Sequence, residues 1–76
     1  QPILALADLT TSERTALPAL KLTMHMWSQD PARRFVILDG HRLGEGSRAG
    51  NAVVERIEPD GVILAADGRL IRLPLP

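Results

Sequence analysis

The sequence of 76 residues contains no cysteine and no tyrosine, and its only aromatic residues are Trp27 and Phe35. Without cysteine there is no disulfide framework, no thiolate chemistry and no cysteine-ligated metal. The scarcity of aromatic rings argues against a protein that binds single-stranded nucleic acid by stacking bases. The core must therefore be built from aliphatic side chains.

The chain also lacks a long apolar run and an excess of charge of either sign. Nine Lys and Arg balance nine Asp and Glu, which removes a general electrostatic attraction to nucleic acid or to an anionic membrane. No segment approaches the roughly 20 apolar residues of a membrane-spanning helix. Hydrophobic residues make up 45% of the chain and charged residues 24%, which is typical of one small folded domain.

The first part of the chain predicts a short helix after an apolar start. Thr10 and Glu13 have the spacing of a capping box, so a helix should begin after Thr10. The residue before Pro18 is biased towards an extended conformation, which ends the helix. We therefore divide the chain into residues 1–16, the end of a linker with a short helix, and residues 17–76, a small β domain.

Alternation of apolar and polar residues predicts a strand from Leu20 to Trp27. One face would carry Leu20, Leu22, Met24 and Met26, and the other Lys21, Thr23, His25 and Trp27. The unbroken apolar run from Phe35 to Leu38 suits a central strand that is covered on both faces. Further strands are predicted over 41–43, 52–58, 62–65 and 69–73, and the glycine-rich stretch 44–51 is predicted to be a loop.

The dipeptide Asp-Gly occurs three times, each time between an apolar run and the next β-like segment. These pairs are Asp39-Gly40, Asp60-Gly61 and Asp67-Gly68. They favour hairpin turns, because glycine accepts the positive φ that such turns require. The predicted fold is mainly β, with about six short antiparallel strands in two small packed sheets or a partly open barrel, and with a short N-terminal helix.

No group of side chains indicates catalysis, a cofactor or a metal. The glycine-rich stretch 40–46 lacks the Gly-Lys-Ser/Thr ending and the following helix that a phosphate-binding loop needs. His25 and His41 lack the further ligands of a zinc site. Ser28 lies near His25 and Asp30 in sequence, but a catalytic triad is defined by spatial geometry. We therefore predict a non-enzymatic domain without a cofactor.

The strand over 20–27 is the candidate partner-binding segment. Adaptable methionines and an anchoring tryptophan are common at binding surfaces, and an edge strand can accept a partner strand through its free backbone groups. The alternative is that both methionines belong to the core. The residues assigned to partner binding are Leu20, Leu22, Thr23, Met24, His25, Met26 and Trp27.

A cluster of arginines supports a different interpretation, a small barrel that binds nucleic acid. Its members are Arg33, Arg34, Arg42 and Arg48. Acidic residues interrupt the cluster and stacking rings are scarce, so we expect a solvated, mutually paired charged surface and no bound nucleic acid. Weak self-association through the edge strand is a third alternative.

Several short motifs follow one another in a fixed order between residues 15 and 73. They are Leu17-Pro18-Ala19-Leu20, His25-Met26-Trp27-Ser28-Gln29-Asp30-Pro31, Arg34-Phe35-Val36-Ile37-Leu38-Asp39-Gly40, Glu45-Gly46, Ile57 and Asp60-Gly61-Val62-Ile63-Leu64. This ordered set resembles the periplasmic C-terminal domain of type II secretion system protein B. The sequence departs from that pattern at Trp27, where Tyr is usual, at Asp39, where Asn is common, and at Ser47, where Asp is expected.

The resemblance implies an inner-membrane protein whose single anchor precedes this segment, with a periplasmic linker and a terminal β domain similar to the homology-region domain of protein C. Such domains are docking and scaffold parts that contact the periplasmic domains of the outer-membrane secretin. They cooperate with the ATPase-bearing protein A, and protein C is a further candidate partner. The start at Gln1-Pro2 fits a fragment or a processed chain. We assign turn-forming and structural roles to Asp39, Gly40, Glu45, Gly46, Asp60, Gly61, Asp67 and Gly68.

Overall fold

The computed structural model describes residues 2–76 and consists mainly of short strands. The strands are β1 (Ile3–Ala5), β2 (Leu22–Met26), β3 (Phe35–Leu38), β4 (His41–Leu43), β5 (Arg48–Ala49), β6 (Ala52–Glu58), β7 (Gly61–Ala66) and β8 (Arg69–Pro74). The helical elements are α1 (Thr11–Thr15) and the 3-10 turns Leu6–Asp8 and Pro31–Arg33.

The strands form two sheets. The larger has the order β1-β8-β7-β6-β5 and the smaller the order β2-β3-β4. This confirms the mainly β prediction with two sheets, and no closed barrel is present within residues 2–76. The sequence did not predict β1 or β5, because segments of three and two residues are too short to show a period of two.

The N-terminal strand departs from the expected antiparallel arrangement. β1 pairs in parallel with β8, and Ile3 lies opposite Leu70. All other paired strands are antiparallel in the part of the chain that the structure describes. A parallel pair needs a connection that returns the chain to the same end of the sheet, and here almost the whole domain lies between β1 and β8.

The helix α1 begins at the predicted capping box. The Thr10 hydroxyl accepts a hydrogen bond from the Glu13 N–H at 3.1 Å, and the Glu13 carboxylate accepts one from the Thr10 N–H at 2.8 Å. Leucines on both sides of α1 pack against the larger sheet. They are Leu6, Leu9 and Leu17, which contact the cluster of Ala52, Ala66 and Ile71. The proposed boundary between residues 16 and 17 stays a prediction.

Two of the three Asp-Gly pairs occupy two-residue hairpin loops. Asp39 and Gly40 have φ of 52° and 82°, and Asp67 and Gly68 have φ of 55° and 75°. The first pair joins β3 to β4 and the second joins β7 to β8. Positive φ at both loop residues matches the twist of the flanking strands, and Asp and Gly tolerate it better than most residues.

The third Asp-Gly pair is used differently. The loop between β6 and β7 consists of Pro59 and Asp60, since Glu58 lies opposite Gly61 in the ladder. Gly61 is therefore the first residue of β7. A Cβ atom at this position would lie 2.5 Å from the carbonyl oxygen of Leu73, so close approach of β8 explains the glycine.

The main core lies where the smaller sheet packs on the larger. Its buried members come mostly from β3, β6, β7 and β8, and are Leu20, Val36, Leu38, Val54, Ile57, Val62, Leu64 and Leu73. The central strand β7 is the most completely buried, because it has neighbours on both sides within the sheet. This aliphatic core positions the smaller sheet, which carries the candidate binding strand.

Candidate partner-binding surface

The strand β2 forms one edge of the smaller sheet. Its inner neighbour is β3, and its outer side pairs with no other strand among residues 2–76. The unpaired backbone groups of such an edge can hydrogen-bond to a strand from another chain. The other edge of the smaller sheet is β4, and the edges of the larger sheet are β1 and β5.

A bulge at Thr23 divides β2 into two parts with opposite orientations. Leu22 lies opposite Leu38 and Met24 lies opposite Ile37, so Thr23 is an extra residue in the ladder. An extra residue reverses which side chains point inward beyond it. The predicted alternation is therefore wrong after Thr23, because Met24 faces outward instead of following Leu22 into the interior.

The two methionines of β2 are consequently surface residues. Met24 is 46% exposed and Met26 is 44% exposed, which excludes the alternative that they belong to the core. Met26 lies opposite Phe35 on β3. Adjacent thioether side chains present a soft, adaptable apolar surface.

The outer face of the smaller sheet extends this apolar surface across β3. Phe35 and Ile37 are only half-buried there, so the prediction that β3 is covered on both faces is wrong for its outer face. Arg42 on β4 lies opposite Ile37, and its guanidinium carbon lies 3.9 Å from the centre of the Phe35 ring. Sequence reasoning missed this face, because an unbroken apolar run does not show which of its members point outward.

Trp27 connects the two sheets and is half-buried. It packs against the main core, and the guanidinium carbon of Arg34 lies 5.1 Å from its ring centre. Arg34 Nε donates to the Ser28 carbonyl oxygen at 2.7 Å, and Arg34 Nη1 lies 3.3 Å from Glu45 Oε2. The same Glu45 oxygen accepts a hydrogen bond from the Ile57 N–H on β6 at 2.8 Å. These contacts fix the end of β2 relative to the larger sheet.

His25 provides a second connection between the sheets. Its Nε2 lies 2.7 Å from the carbonyl oxygen of Glu58 and 3.1 Å from that of Gly61. Both partners are acceptors, so Nε2 carries the proton and donates to them. The side chain of His25 therefore points into the domain and ties β2 to the turn between β6 and β7.

The beginning of β2 is held by the turn after β3. The Asp39 carboxylate accepts hydrogen bonds from the N–H groups of Leu20 at 3.0 Å and Lys21 at 2.7 Å. Leu20 has a φ of 59° and is only 5% exposed. Of the seven residues assigned to partner binding, Thr23, Met24 and Met26 are thus the exposed ones, while Leu22, His25 and Trp27 are half-buried.

The structure divides the predicted arginine cluster. Arg33 lies 3.8 Å from Asp30, and Arg34 is paired with Glu45. Arg42 and Arg48 form no ion pair with any described carboxylate, and both line a cleft between β4 and β5. The four arginines therefore do not form one continuous basic patch.

Within residues 2–76, no three His, Cys, Asp or Glu side chains are grouped so that they could hold a metal ion. No helix of the described chain has the length and apolar character required to cross a membrane.

Comparisons with known proteins agree with this architecture. The family model described as type II secretion system protein B matches residues 17–75. The crystal structure of Dickeya dadantii GspB from the type 2 secretion system is similar, with a TM-score of 0.66 and 33% sequence identity. The alignment covers 70% of this chain and 64% of that chain, which is less than two thirds of the latter. No match was found among curated proteins. Because the family model covers most of the chain, this chain belongs to the type II secretion system protein B family.

Proposed function

We propose that this domain is a non-enzymatic docking part of the type II secretion machinery and that β2 binds the periplasmic part of the outer-membrane secretin. The observation that supports this most directly is the unpaired edge of β2, with two exposed methionines beside it. A strand from the partner would hydrogen-bond to this edge and pack its outward side chains against Met24 and Met26.

The inner contacts of β2 support such a role. His25, Trp27 and Asp39 hold the strand from its inner side and at its start, and leave its outer edge available. An edge that is already ordered loses little conformational entropy on binding. The same proposal places the domain in the periplasm, attached to an inner-membrane anchor, with proteins A and C of the system as further partners.

An NMR titration with the purified N-terminal periplasmic region of a matching secretin tests this proposal. We expect shifts confined to β2 and its neighbouring loops, and slowed hydrogen exchange of β2 amides in the complex. Met24→Lys combined with Met26→Lys should weaken binding by about tenfold or more. Leu75→Lys is the matched control, because Leu75 is 49% exposed and lies outside the smaller sheet.

The edge mechanism has its own test. Thr23→Pro removes an N–H group from β2, so it should abolish binding while the hairpin of β3 and β4 remains intact. A folded Thr23→Pro variant that binds the secretin normally would contradict strand addition. Sedimentation of the domain alone distinguishes self-association, because a dimer disrupted by the two lysine substitutions would mean that a second copy occupies the edge.

A further inference from the structure

A second candidate binding site lies beside β4, at the edge of the smaller sheet opposite to β2. A cleft of about 510 Å³ opens between β4 and β5, within the size range of about 300–1,000 Å³ that is common for binding sites. Its apolar lining includes Pro18, Leu38 and Leu43. Pro18 and Gly50 lie close together in this lining, since a Cβ atom on Gly50 would lie 2.8 Å from the Pro18 ring.

Two edge strands border this cleft. β4 is the edge of the smaller sheet opposite to β2, and β5 is an edge of the larger sheet. Neither strand has a second neighbour among the residues that the structure describes. Residues of both strands line the cleft, namely His41, Arg42, Leu43, Arg48 and Ala49. An extended segment lying in the cleft would therefore meet unpaired backbone groups as well as apolar side chains.

The charge of the cleft is not balanced by its own residues. The chain as a whole has a net charge of zero. Most arginines have an acceptor: Arg33, Arg34, Arg56, Arg69 and Arg72 each lie beside a carboxylate, and Arg14 donates to backbone carbonyls. The exceptions are Arg42 and Arg48, which both contribute to the lining of the cleft, and the Arg42 guanidinium lies over Phe35 at the outer face of the smaller sheet. Its one carboxylate, Asp39, accepts two backbone N–H groups and forms no ion pair with either arginine, so the positive charges of the lining outnumber the negative one.

These features favour a protein segment over nucleic acid as the ligand. Bases bind to exposed aromatic rings, but Phe35 is covered by Arg42 and Trp27 by Arg34. An apolar floor and free strand edges instead match a peptide with alternating side chains. We propose that the cleft between β4 and β5 binds an extended acidic segment of a partner protein, whose carboxylates pair with Arg42 and Arg48.

This site does not depend on the proposed contact with the secretin. β2 and β4 lie at opposite edges of the same sheet, with β3 between them. A partner strand on β2 and an acidic segment beside β4 would thus bind simultaneously. The domain would then hold two protein segments at a fixed distance, as a scaffold part requires.

Short peptides provide the test. An end-capped octapeptide of alternating Glu and Val is titrated into the ¹⁵N-labelled chain, and an octapeptide of alternating Lys and Val serves as the control. We expect shifts in residues 38–43 and 48–50 with the acidic peptide only, and weaker binding as salt is raised. Shifts of the same residues with the Lys-containing peptide, or no shifts at millimolar acidic peptide, would overturn the proposal.

Charge reversal locates the site. Arg42→Glu combined with Arg48→Glu should weaken binding of the acidic peptide about tenfold or more, whereas Arg33→Glu should leave it within about twofold. Equal losses in both variants would show a nonspecific charge effect and refute the site. A thymidine octanucleotide that shifts the cleft residues at lower concentration than the acidic peptide would also refute it, in favour of nucleic acid.

Discussion

The contacts of Glu45 allow the loss in free energy of unfolding on its replacement to be predicted. One oxygen of its carboxylate accepts the Ile57 N–H at 2.8 Å and lies 3.3 Å from Nη1 of Arg34. Ile57 is 1% exposed and follows the irregularity in β6 between Val54 and Arg56. The strand β5 ends its pairing with β6 before this point, so the side chain of Glu45 takes the place of a neighbouring strand.

The expected cost follows from these contacts. Glu45→Ala leaves a buried N–H without an acceptor, which costs about 1–3 kcal/mol. It also removes a partly exposed ion pair worth at most about 1 kcal/mol. We therefore expect the free energy of unfolding to fall by about 1–4 kcal/mol. Glu45→Gln retains an acceptor and should lose only about 1 kcal/mol, or roughly 4–8 °C in Tm.

Urea unfolding followed by the fluorescence of Trp27, the only tryptophan, measures these changes. Glu55→Ala is the control, because Glu55 is an exposed residue of β6 and should change stability by less than about 0.5 kcal/mol. Equal losses for Glu45→Ala and Glu45→Gln would refute the role of the Ile57 hydrogen bond. A loss below about 0.5 kcal/mol for Glu45→Ala would refute the whole account.

Three further predictions concern stability. Gly61→Ala places a Cβ atom 2.5 Å from the carbonyl oxygen of Leu73 and should destabilise the domain by about 1–3 kcal/mol in urea unfolding, whereas Gly44→Ala, with 3.7 Å to its nearest atom, should cost much less. Similar losses for both would contradict the close approach of β8. Asp39→Ala leaves the N–H groups of Leu20 and Lys21 without their acceptor. Relative to the wild type, we expect hydrogen exchange of these two amides to accelerate more than that of the β7 amides. The Glu13 carboxylate accepts a hydrogen bond from the Thr10 N–H and lies beside Arg69 of β8, and both contacts hold the pKa of this carboxyl below its ordinary value of 4.5. Because the folded-state pKa is lowered, this stabilisation is present above pH 4.5 and is lost as the pH falls through the folded-state pKa. The stability gap between wild type and Glu13→Gln should therefore narrow on acidification, and a constant gap would contradict this.

Local signals in the sequence determined several elements correctly. The capping box of Thr10 and Glu13 located the start of α1, and the predicted limits of β4 and β6 agree with the structure. The mainly β class also followed from apolar alternation and turn residues, with two packed sheets as one of the two predicted arrangements. These features depend on interactions between residues a few positions apart, so they can be recognised without knowing the packing.

The candidate binding surface depended on contacts between distant parts of the chain. Asp39 reaches β2 from the turn after β3, and Glu45 completes the edge of β6. The bulge at Thr23 exists only in relation to β3, yet it decides that Met24 and Met26 face outward. The parallel pairing of β1 likewise depends on β8, at the other end of the chain. The sequence by itself thus determined the local elements and the class of the fold. Only the tertiary structure decided which edges and faces are available to partners, because strand register and sheet order are set by residues far apart in sequence.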